Sequence, residues 1–333
     1  MLVEPFGACD EGEVGRLSIM GGGLTAHIIN RGAVIQDLRL EGHSAPLVLG
    51  YPNIQDYLAH SPHFGAVPGR YANRIAGGKF SIEGGRYQAD QNEHGANTLH
   101  GGKKGYSKRL WTFADQGADF VTLTLHSPDG EMGFPGDLDA TCTYRVKAGG
   151  VLSIELSAIA DRPTLCNLTN HSYFNLDNGG AGDILGHRLM INASAYLPVD
   201  DQAIPTGVVQ PVDGTPFDLR LASEIGVSGV PYDHNFCLSA ASVPLRRVCW
   251  AQGNSSGVEM ETWTTETGVQ FYMGHKIKPN GPAGLTGRPY GASSGFCLET
   301  QVWPDSPNRP YFPQAVLRPG ETYVHHTEYR FKC

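Results

Sequence analysis

The chain is dominated by segments in which apolar and polar residues alternate. In VTLTLH (121–126) every second residue is aliphatic, and LSIELSA (152–158) and GVQFYMG (268–274) repeat the same period of two. This alternation is typical of β-strands that bury one face. Segments rich in glycine and proline, such as SPDGEMGFPGD (127–137), separate these runs and predict turns.

Helical periodicity is rare by comparison. Only NIQDYLAH (53–60) predicts a short helix, and no long amphipathic stretch recurs between the strands. A protein of alternating strands and helices is therefore disfavoured. The pattern predicts an all-β fold, a large antiparallel β-sandwich with few short helices. Because no internal repeat or linker interrupts it, residues 1–333 are expected to form a single domain.

Composition narrows the class of protein. Hydrophobic residues make up 40% of the chain and charged residues 17%, which is typical of a globular protein. The net charge of −8 disfavours nucleic acid as a partner, because phosphate binding needs a basic surface. No run approaches the roughly 20 apolar residues of a membrane helix, so no membrane association is expected.

The cysteines and the first residues of the chain indicate a compartment. Seven cysteines, an odd number without a CxxC pair, fit reduced thiols better than a disulfide framework. The N-terminal residues also lack the charged and apolar pattern of a signal peptide. A cytoplasmic location is therefore expected.

Two short motifs resemble known signatures but stand in the wrong context. GASSG (291–295) has the spacing of a nucleophile elbow, which needs a strand before it and a helix after it. Here a glycine-rich loop precedes it and a strand-like run follows. GGGLTA (21–26) fits a dinucleotide fingerprint, yet strand-like residues follow it instead of a helix. Both are interpreted as loops or turns.

The thirteen histidines do not form a recognisable metal motif. The chain has no HExxH and no Cys/His pair at zinc-finger spacing. His325 and His326 are adjacent, so on a strand they point to opposite faces and cannot chelate together. No protein-held metal is expected.

Polar candidates for a functional site occur in motifs spread over the whole chain. They are Asn73 and Arg74 in GRYANRIAGGKF, His100 in NTLHGG, His171 in NLTNHSYFNL, Asp233 in YDHNF, Gln270 in GVQFY and Glu299 in GFCLETQVWPDSPNRPYFP. Glu299 is notable because its neighbours form an apolar, strand-like run. Its carboxylate should be partly desolvated, which raises the pKa unless partners keep it ionised.

Together with SPDGEMGFPGD and LETQVWPDSPNRPYFP, these motifs resemble the aldose 1-epimerase (galactose mutarotase) family from about residue 30 to the C-terminus. The resemblance implies a large twisted antiparallel β-sandwich with an open sugar cleft on one sheet. It implies that Glu299 is the general base and His171 the general acid. The positions implied to bind sugar hydroxyls or steady the open-chain intermediate are Asn73, Arg74, His100, Asp233 and Gln270.

The implied reaction is the interconversion of the α and β anomers of a free aldose, such as galactose or glucose. Ring opening removes the C1-hydroxyl proton and delivers a proton to O5. A carboxylate and an imidazole on the two sides of the sugar can do both and then exchange roles for closure. No redox step or electron sink is needed, so no cofactor is expected. The expected partner is a monosaccharide, bound by a monomer or homodimer.

Other functions remain open on the sequence. A hexose-6-phosphate 1-epimerase would need basic residues over the phosphate, and Arg288 or Lys276 could serve. A non-catalytic sugar-binding protein would be expected to lose Glu299 or His171, yet both are present. A glycoside hydrolase would need two carboxylates, such as Glu299 with Asp233.

Some residues depart from the family pattern or have a plain structural explanation. His275 stands where the family usually has asparagine, Tyr71 where a small aliphatic residue is usual, and the loop 276–294 is atypical. If these residues line the rim, the preferred sugar is in doubt. Arg74 could be a structural ion-pair partner, for example of Asp233.

Overall fold

The computed structural model describes residues 2–333, which fold almost entirely into strands, turns and loops. The first strands are β1 Glu4–Cys9, β2 Gly12–Gly21, β3 Leu24–Ile29, β4 Val34–Leu40, β5 Arg74–Ile75, β6 Lys79–Ile82, β7 Gly85–Gln88, β8 Thr98–Leu99, β9 Thr112–Gln116, β10 Phe120–Ser127, β11 Leu138–Lys147 and β12 Val151–Ala160. The remaining strands are β13 Thr164–Leu165, β14 Arg188–Ile191, β15 Ala195–Tyr196, β16 Gln210–Pro211, β17 Ser223–Glu224, β18 Asp233–Cys237, β19 Arg246–Gln252, β20 Glu259–Thr264, β21 Gly268–Tyr272, β22 Cys297–Gln301, β23 Val316–Leu317 and β24 Tyr323–Lys332.

Helical structure is confined to one α-helix and four short 3-10 turns in residues 2–333. The α-helix is α1 Ile54–His60, and the 3-10 turns are Ala76–Gly78, Tyr106–Lys108, Glu131–Gly133 and Ser306–Asn308. Asn53 caps α1, because its side-chain oxygen accepts a hydrogen bond from the amide of Asp56 at 2.9 Å. The helix predicted at 53–60 is confirmed.

The strands assemble into three main antiparallel sheets. The largest has nine strands in the order β17-β14-β19-β20-β24-β12-β11-β10-β9. A five-stranded sheet has the order β16-β15-β18-β21-β22, and a four-stranded meander runs β1-β2-β3-β4. Three two-stranded ribbons, β5-β8, β6-β7 and β13-β23, complete the fold. The prediction of an all-β protein of large antiparallel sheets is confirmed.

The strands of the large sheet follow the predicted alternation. In β12, Leu152, Ile154 and Leu156 are buried, whereas Glu155 is exposed. Side chains that alternate along a strand point to opposite faces, so these aliphatic residues form one apolar face. On β24, His325 is buried and His326 is partly exposed, which confirms that the two histidines point apart.

A continuous hydrophobic core joins the three sheets. Leu17 of β2, Ile154 of β12 and Phe271 of β21 belong to this one cluster of buried side chains. The hydroxyl of Tyr329 on β24 donates to the carbonyl of Leu298 on β22 at 3.0 Å. All five residues of β22 are buried, so this strand is covered on both faces.

Two further expectations concern the surroundings of the protein. Within residues 2–333 no helix has the length and apolarity needed to cross a membrane. All seven cysteines are free thiols in the structure, in line with the reduced state expected from their number and spacing.

Candidate active site

Three neighbouring strands bring predicted site residues together on one face of the five-stranded sheet. Gln270 of β21 lies directly opposite Glu299 of β22 in the strand register. On the other side, Gln270 lies opposite Asn235 of β18, two residues from Asp233. Directly opposite residues share a face, and residues two apart on a strand do too. Asp233, Gln270 and Glu299 therefore project to the same side.

Glu299 is almost completely withdrawn from solvent, with 3% of its surface exposed. Its Oε2 atom has no hydrogen-bond partner in the described chain and lies 3.5 Å from Nε2 of His171. Burial, reinforced by the charge of Asp233, raises the pKa of Glu299 well above its usual range, and Arg74 opposes this shift. The sequence predicted a partly desolvated carboxylate at Glu299, and in the structure this carboxylate is deeply buried.

His171 lies in the irregular segment 167–176, where backbone hydrogen bonds fix its position. Its amide donates to Ala66, and its carbonyl accepts from Gly65. The imidazole stacks on the ring of Tyr173, with centroids 5.0 Å apart and planes 11° from parallel. Burial lowers the pKa of His171 to about 4, and Nδ1 is buried without a partner. Such an imidazole is poised to exchange a proton at Nε2.

His100 and Asn73 form the next wall of the site. The amide of Asn73 donates to Nδ1 of His100 at 3.1 Å, so this ring nitrogen is an acceptor and the neutral ring carries its proton on Nε2. Both residues have left-handed backbones, with φ of 64° for Asn73 and 51° for His100. Asn and His are among the non-glycine residues that tolerate this region. This left-handed backbone delivers the imidazole of His100 to the site.

Arg74 pairs with a different carboxylate from the one suggested by the sequence. Its Nε and Nη2 atoms bond both oxygens of Glu93 at 2.7–3.1 Å, and the side chain is not ion-paired with Asp233. At longer range the positive charge of Arg74 favours the ionised forms of Asp233 and Glu299. The fork geometry of a guanidinium suits this bidentate contact, which fixes Arg74 beside the cleft.

Asp233 has both carboxylate oxygens engaged. Oδ1 accepts from Nε2 of Gln270 and Oδ2 from Nζ of Lys276, each at 2.9 Å. Burial alone would raise the pKa of Asp233, but Arg74 and Lys276 outweigh it and the net shift is downward. Asp233 therefore remains ionised and can accept hydrogen bonds from sugar hydroxyls. Lys276 contacts it from the exposed rim.

The departures from the family pattern fall in different places. Tyr71 is completely buried in a hydrophobic cluster and bonds the hydroxyl of Ser306 at 2.9 Å, so it does not line the rim. His275 is partly exposed, and its ring lies 5.4 Å from that of Tyr272. The loop that begins at 276 does reach the site, through Lys276.

Two aromatic neighbours of the site were not identified from the sequence. The ring of His63 lies 4.7 Å from His100 and stacks over His171 at 5.8 Å. Tyr173 lies beneath His171. The spacing of two between His171 and Tyr173 in an extended segment is a signal that could have found the tyrosine. His63 stands in no recognisable motif.

A cluster of three residues at the centre has the composition of a metal site. His100, His171 and Glu299 each offer an atom within 4.8 Å of the others. The same donors also suit proton transfer, because a buried carboxylate and a neutral imidazole have shifted pKa values. The expectation that no metal is held stays a prediction.

The fold and the site define a protein of the all-β class with a buried carboxylate–imidazole pair, and comparison with known proteins identifies its family. The family model described as aldose 1-epimerase matches residues 16–330. The chain belongs to the aldose 1-epimerase family, and it is an isomerase.

Individual relatives agree with this assignment. The chain is 43% identical to galactose mutarotase of Rattus norvegicus over 331 residues, which cover 96% of this chain and 94% of the rat protein. It is 35% identical to aldose 1-epimerase of Escherichia coli K12 over 349 aligned positions, with 99% of each chain covered. An aldose epimerase homologue from C. elegans superimposes with a TM-score of 0.89 at 29% identity, covering 96% of this chain and 99% of its own.

Proposed function

We propose that this protein interconverts the α and β anomers of a free aldose by acid–base ring opening, with Glu299 and His171 as the catalytic pair. The observation that carries the proposal is their buried contact, with Oε2 of Glu299 at 3.5 Å from Nε2 of His171. The relatives named galactose mutarotase and aldose 1-epimerase support the same reaction.

The ring-opening step assigns one proton movement to each group. Glu299 removes the proton of the C1 hydroxyl while His171 protonates O5, and the C1–O5 bond breaks to give the aldehyde. Rotation about C1–C2 presents the other carbonyl face. On closure His171 takes the proton of the O5 hydroxyl, O5 attacks C1, and Glu299 returns its proton to the carbonyl oxygen. Each group regains its starting state.

The remaining residues are proposed to hold the sugar. Asp233 and Gln270 form a joined acceptor and donor pair beside Glu299. Arg74, held by Glu93, contributes positive charge, while Asn73 fixes the tautomer in which Nε2 of His100 can donate to a sugar oxygen. These are single hydrogen-bond donors and acceptors of the kind that bind sugar hydroxyls, which supports a free aldose as the substrate. The presence of both Glu299 and His171 speaks against a silent sugar-binding protein.

Polarimetry of freshly dissolved α-D-galactose and α-D-glucose, with and without protein, tests the proposal. We expect faster decay of optical rotation with the wild type and loss of that acceleration in Glu299→Gln. Glu155→Gln is the matched control, because this glutamate is exposed on β12. The proposal would be overturned if the folded wild type accelerated the decay of optical rotation of neither sugar. Activity that EDTA abolishes and a divalent ion restores would overturn the expectation of metal-free catalysis.

The setting of the enzyme is also proposed. Seven free thiols support a cytoplasmic location. We further propose that the protein acts as a monomer or a homodimer. Sedimentation at micromolar concentration measures this state directly.

A further inference from the structure

A small cavity beside the catalytic cluster is lined by two cationic side chains and a neutral histidine. Arg31, His63 and Lys108 face a space of about 80 Å³, together with the serines Ser61 and Ser107. Among the described residues that line it there is no aspartate or glutamate. The whole protein carries a net charge of −8, so the positive charge of this cavity is opposite in sign to that of the protein as a whole.

Arg31, which is partly buried, and Lys108, which is exposed, are the two cations of this cavity, and both lack counter-ions. In residues 2–333 the side chains of Arg31 and Lys108 form no ion pair or hydrogen bond, and Nε of Arg31 is buried without an acceptor. Burial and then the charge of Arg31 lower the pKa of Lys108, which Asp90 only partly offsets. Arg109, the next residue, is by contrast paired with Glu11 and Glu131.

Such an arrangement is unfavourable without an anion. The two like charges repel each other, and the buried guanidinium nitrogen of Arg31, which has no partner, loses its hydrogen bond to water. An oxyanion in the cavity would remove both costs at once. A guanidinium fork, an ammonium and hydroxyl groups are the donors that bind phosphate and sulfate oxygens.

The size of the cavity selects among anions. A water molecule needs about 10–15 Å³ of such space, so a cavity of about 80 Å³ has room for a small tetrahedral oxyanion. We propose that Arg31 and Lys108, with the serines beside them, form a binding site for a small tetrahedral oxyanion.

The cavity adjoins the catalytic cluster without overlapping it. His63 separates the two: its Nδ1 contacts the hydroxyl of Ser107 at 3.0 Å, and its ring lies 4.7 Å from that of His100. An anion bound at Arg31 leaves Glu299 and His171 free. The ligand is either a free anion such as inorganic phosphate or the phosphoryl group of a sugar phosphate whose ring occupies the neighbouring cleft.

Calorimetric titration of inorganic phosphate into the sugar-free protein at low ionic strength tests the site. Arg31→Gln and Lys108→Met should each weaken binding by about tenfold to a hundredfold, since a hydrogen bond to a charged group is lost. Lys103→Met is the matched control: it removes the same charge from another exposed lysine, one that does not line the cavity, and binding should be unchanged. Phosphate that fails to bind at millimolar concentration, or that binds the wild type and both variants alike, would overturn the proposal.

Mutarotation kinetics then distinguish the two sources of the oxyanion. If the site takes a phosphoryl group, Arg31→Gln should raise KM for glucose 6-phosphate and leave KM for galactose unchanged. If it takes free phosphate, the variant should lose phosphate binding while both KM values stay the same. The titration needs no turnover, so the site would stand even if the proposed anomerisation failed.

Discussion

At the scale of the residue, burial acts in opposite senses on the two catalytic groups. It raises the pKa of Glu299 and lowers that of His171 to about 4, because each charged form loses hydration. The two atoms that face each other are 3.5 Å apart, so the groups titrate as a pair. Between the two pKa values the pair holds one proton, and ring opening uses the tautomer in which this proton lies on His171 while Glu299 is ionised.

The pH profile of kcat/KM should follow from this shared proton. We expect activity to fall below about pH 4, where the pair gains a second proton as His171 is protonated. It should fall again at higher pH, above the raised pKa of Glu299, where the pair loses its proton. Polarimetry of galactose across pH, with circular dichroism to verify folding, measures both limbs. A single limb near pH 6.5, the ordinary pKa of histidine, would contradict this account.

Substitution of the pair should show strong non-additivity. Glu299→Gln and His171→Asn should each lower kcat by about 10²- to 10⁴-fold, the usual contribution of a general acid or base. The double variant should cost little more than the worse single change, because both groups serve one ring-opening step. Rates of the three variants with galactose measure this, and calorimetry should show that Glu299→Gln still binds sugar. Single effects that multiply in the double variant would argue against a joint step.

Single residues also show what sequence could and could not predict about the site. Glu299 and His171 stand in long motifs, and the structure does bring them into contact. The partner of Arg74 could not be predicted, because Glu93 is 19 positions away in a loop without a recognisable pattern. His63 was missed for the same reason. Such contacts depend on how distant loops fold together.

At the scale of the element, a buried histidine ties the two catalytic segments to the large sheet. Nδ1 of His325 on β24 donates to the carbonyl of Leu168, in the segment that carries His171. Its Nε2 accepts from the hydroxyl of Thr300, next to Glu299 on β22, at 3.0 Å. One side chain therefore fixes the strand of the base relative to the segment of the acid.

Replacing this histidine should affect stability and catalysis together. We expect His325→Phe, which keeps a ring but loses both hydrogen bonds, to lower the free energy of unfolding by about 1–3 kcal/mol, the cost of leaving a buried polar group unsatisfied. The rate with galactose should fall as the spacing of the catalytic pair relaxes. Urea unfolding and polarimetry measure the two effects. His326→Phe, on the partly exposed face of the same strand, is the control and should change both far less.

Long strands can be predicted from their own sequence, whereas two-residue strands cannot. Long alternating runs such as 121–126 and 152–158 correspond to β10 and β12, because burial of one face requires that period. Two-residue strands such as β5 and β8 carry no period of their own. They exist because Arg74 and Leu99 are brought opposite each other by the surrounding loops. Local pattern could not reveal them.

At the scale of the whole molecule, one core connects distant parts of the chain. The largest buried cluster extends from Leu17 on β2 to Phe331 on β24 and includes strands of all three main sheets. We propose on this basis that residues 1–333 form a single domain. The protein should therefore unfold in urea in one cooperative transition, with tryptophan fluorescence and far-ultraviolet circular dichroism coinciding. Two separated transitions would indicate more than one folding unit.

The position of β24 has a consequence for biosynthesis. This strand lies between β12 and β20 in the nine-stranded sheet, yet it follows both of them in the sequence. While the ribosome is still making the preceding residues, the facing edges of β12 and β20 have no strand to pair with. Open edges of this kind recruit strands from other chains. We therefore expect a nascent chain stalled before Tyr323 to bind chaperones, because the native sheet can close only when its central strand emerges.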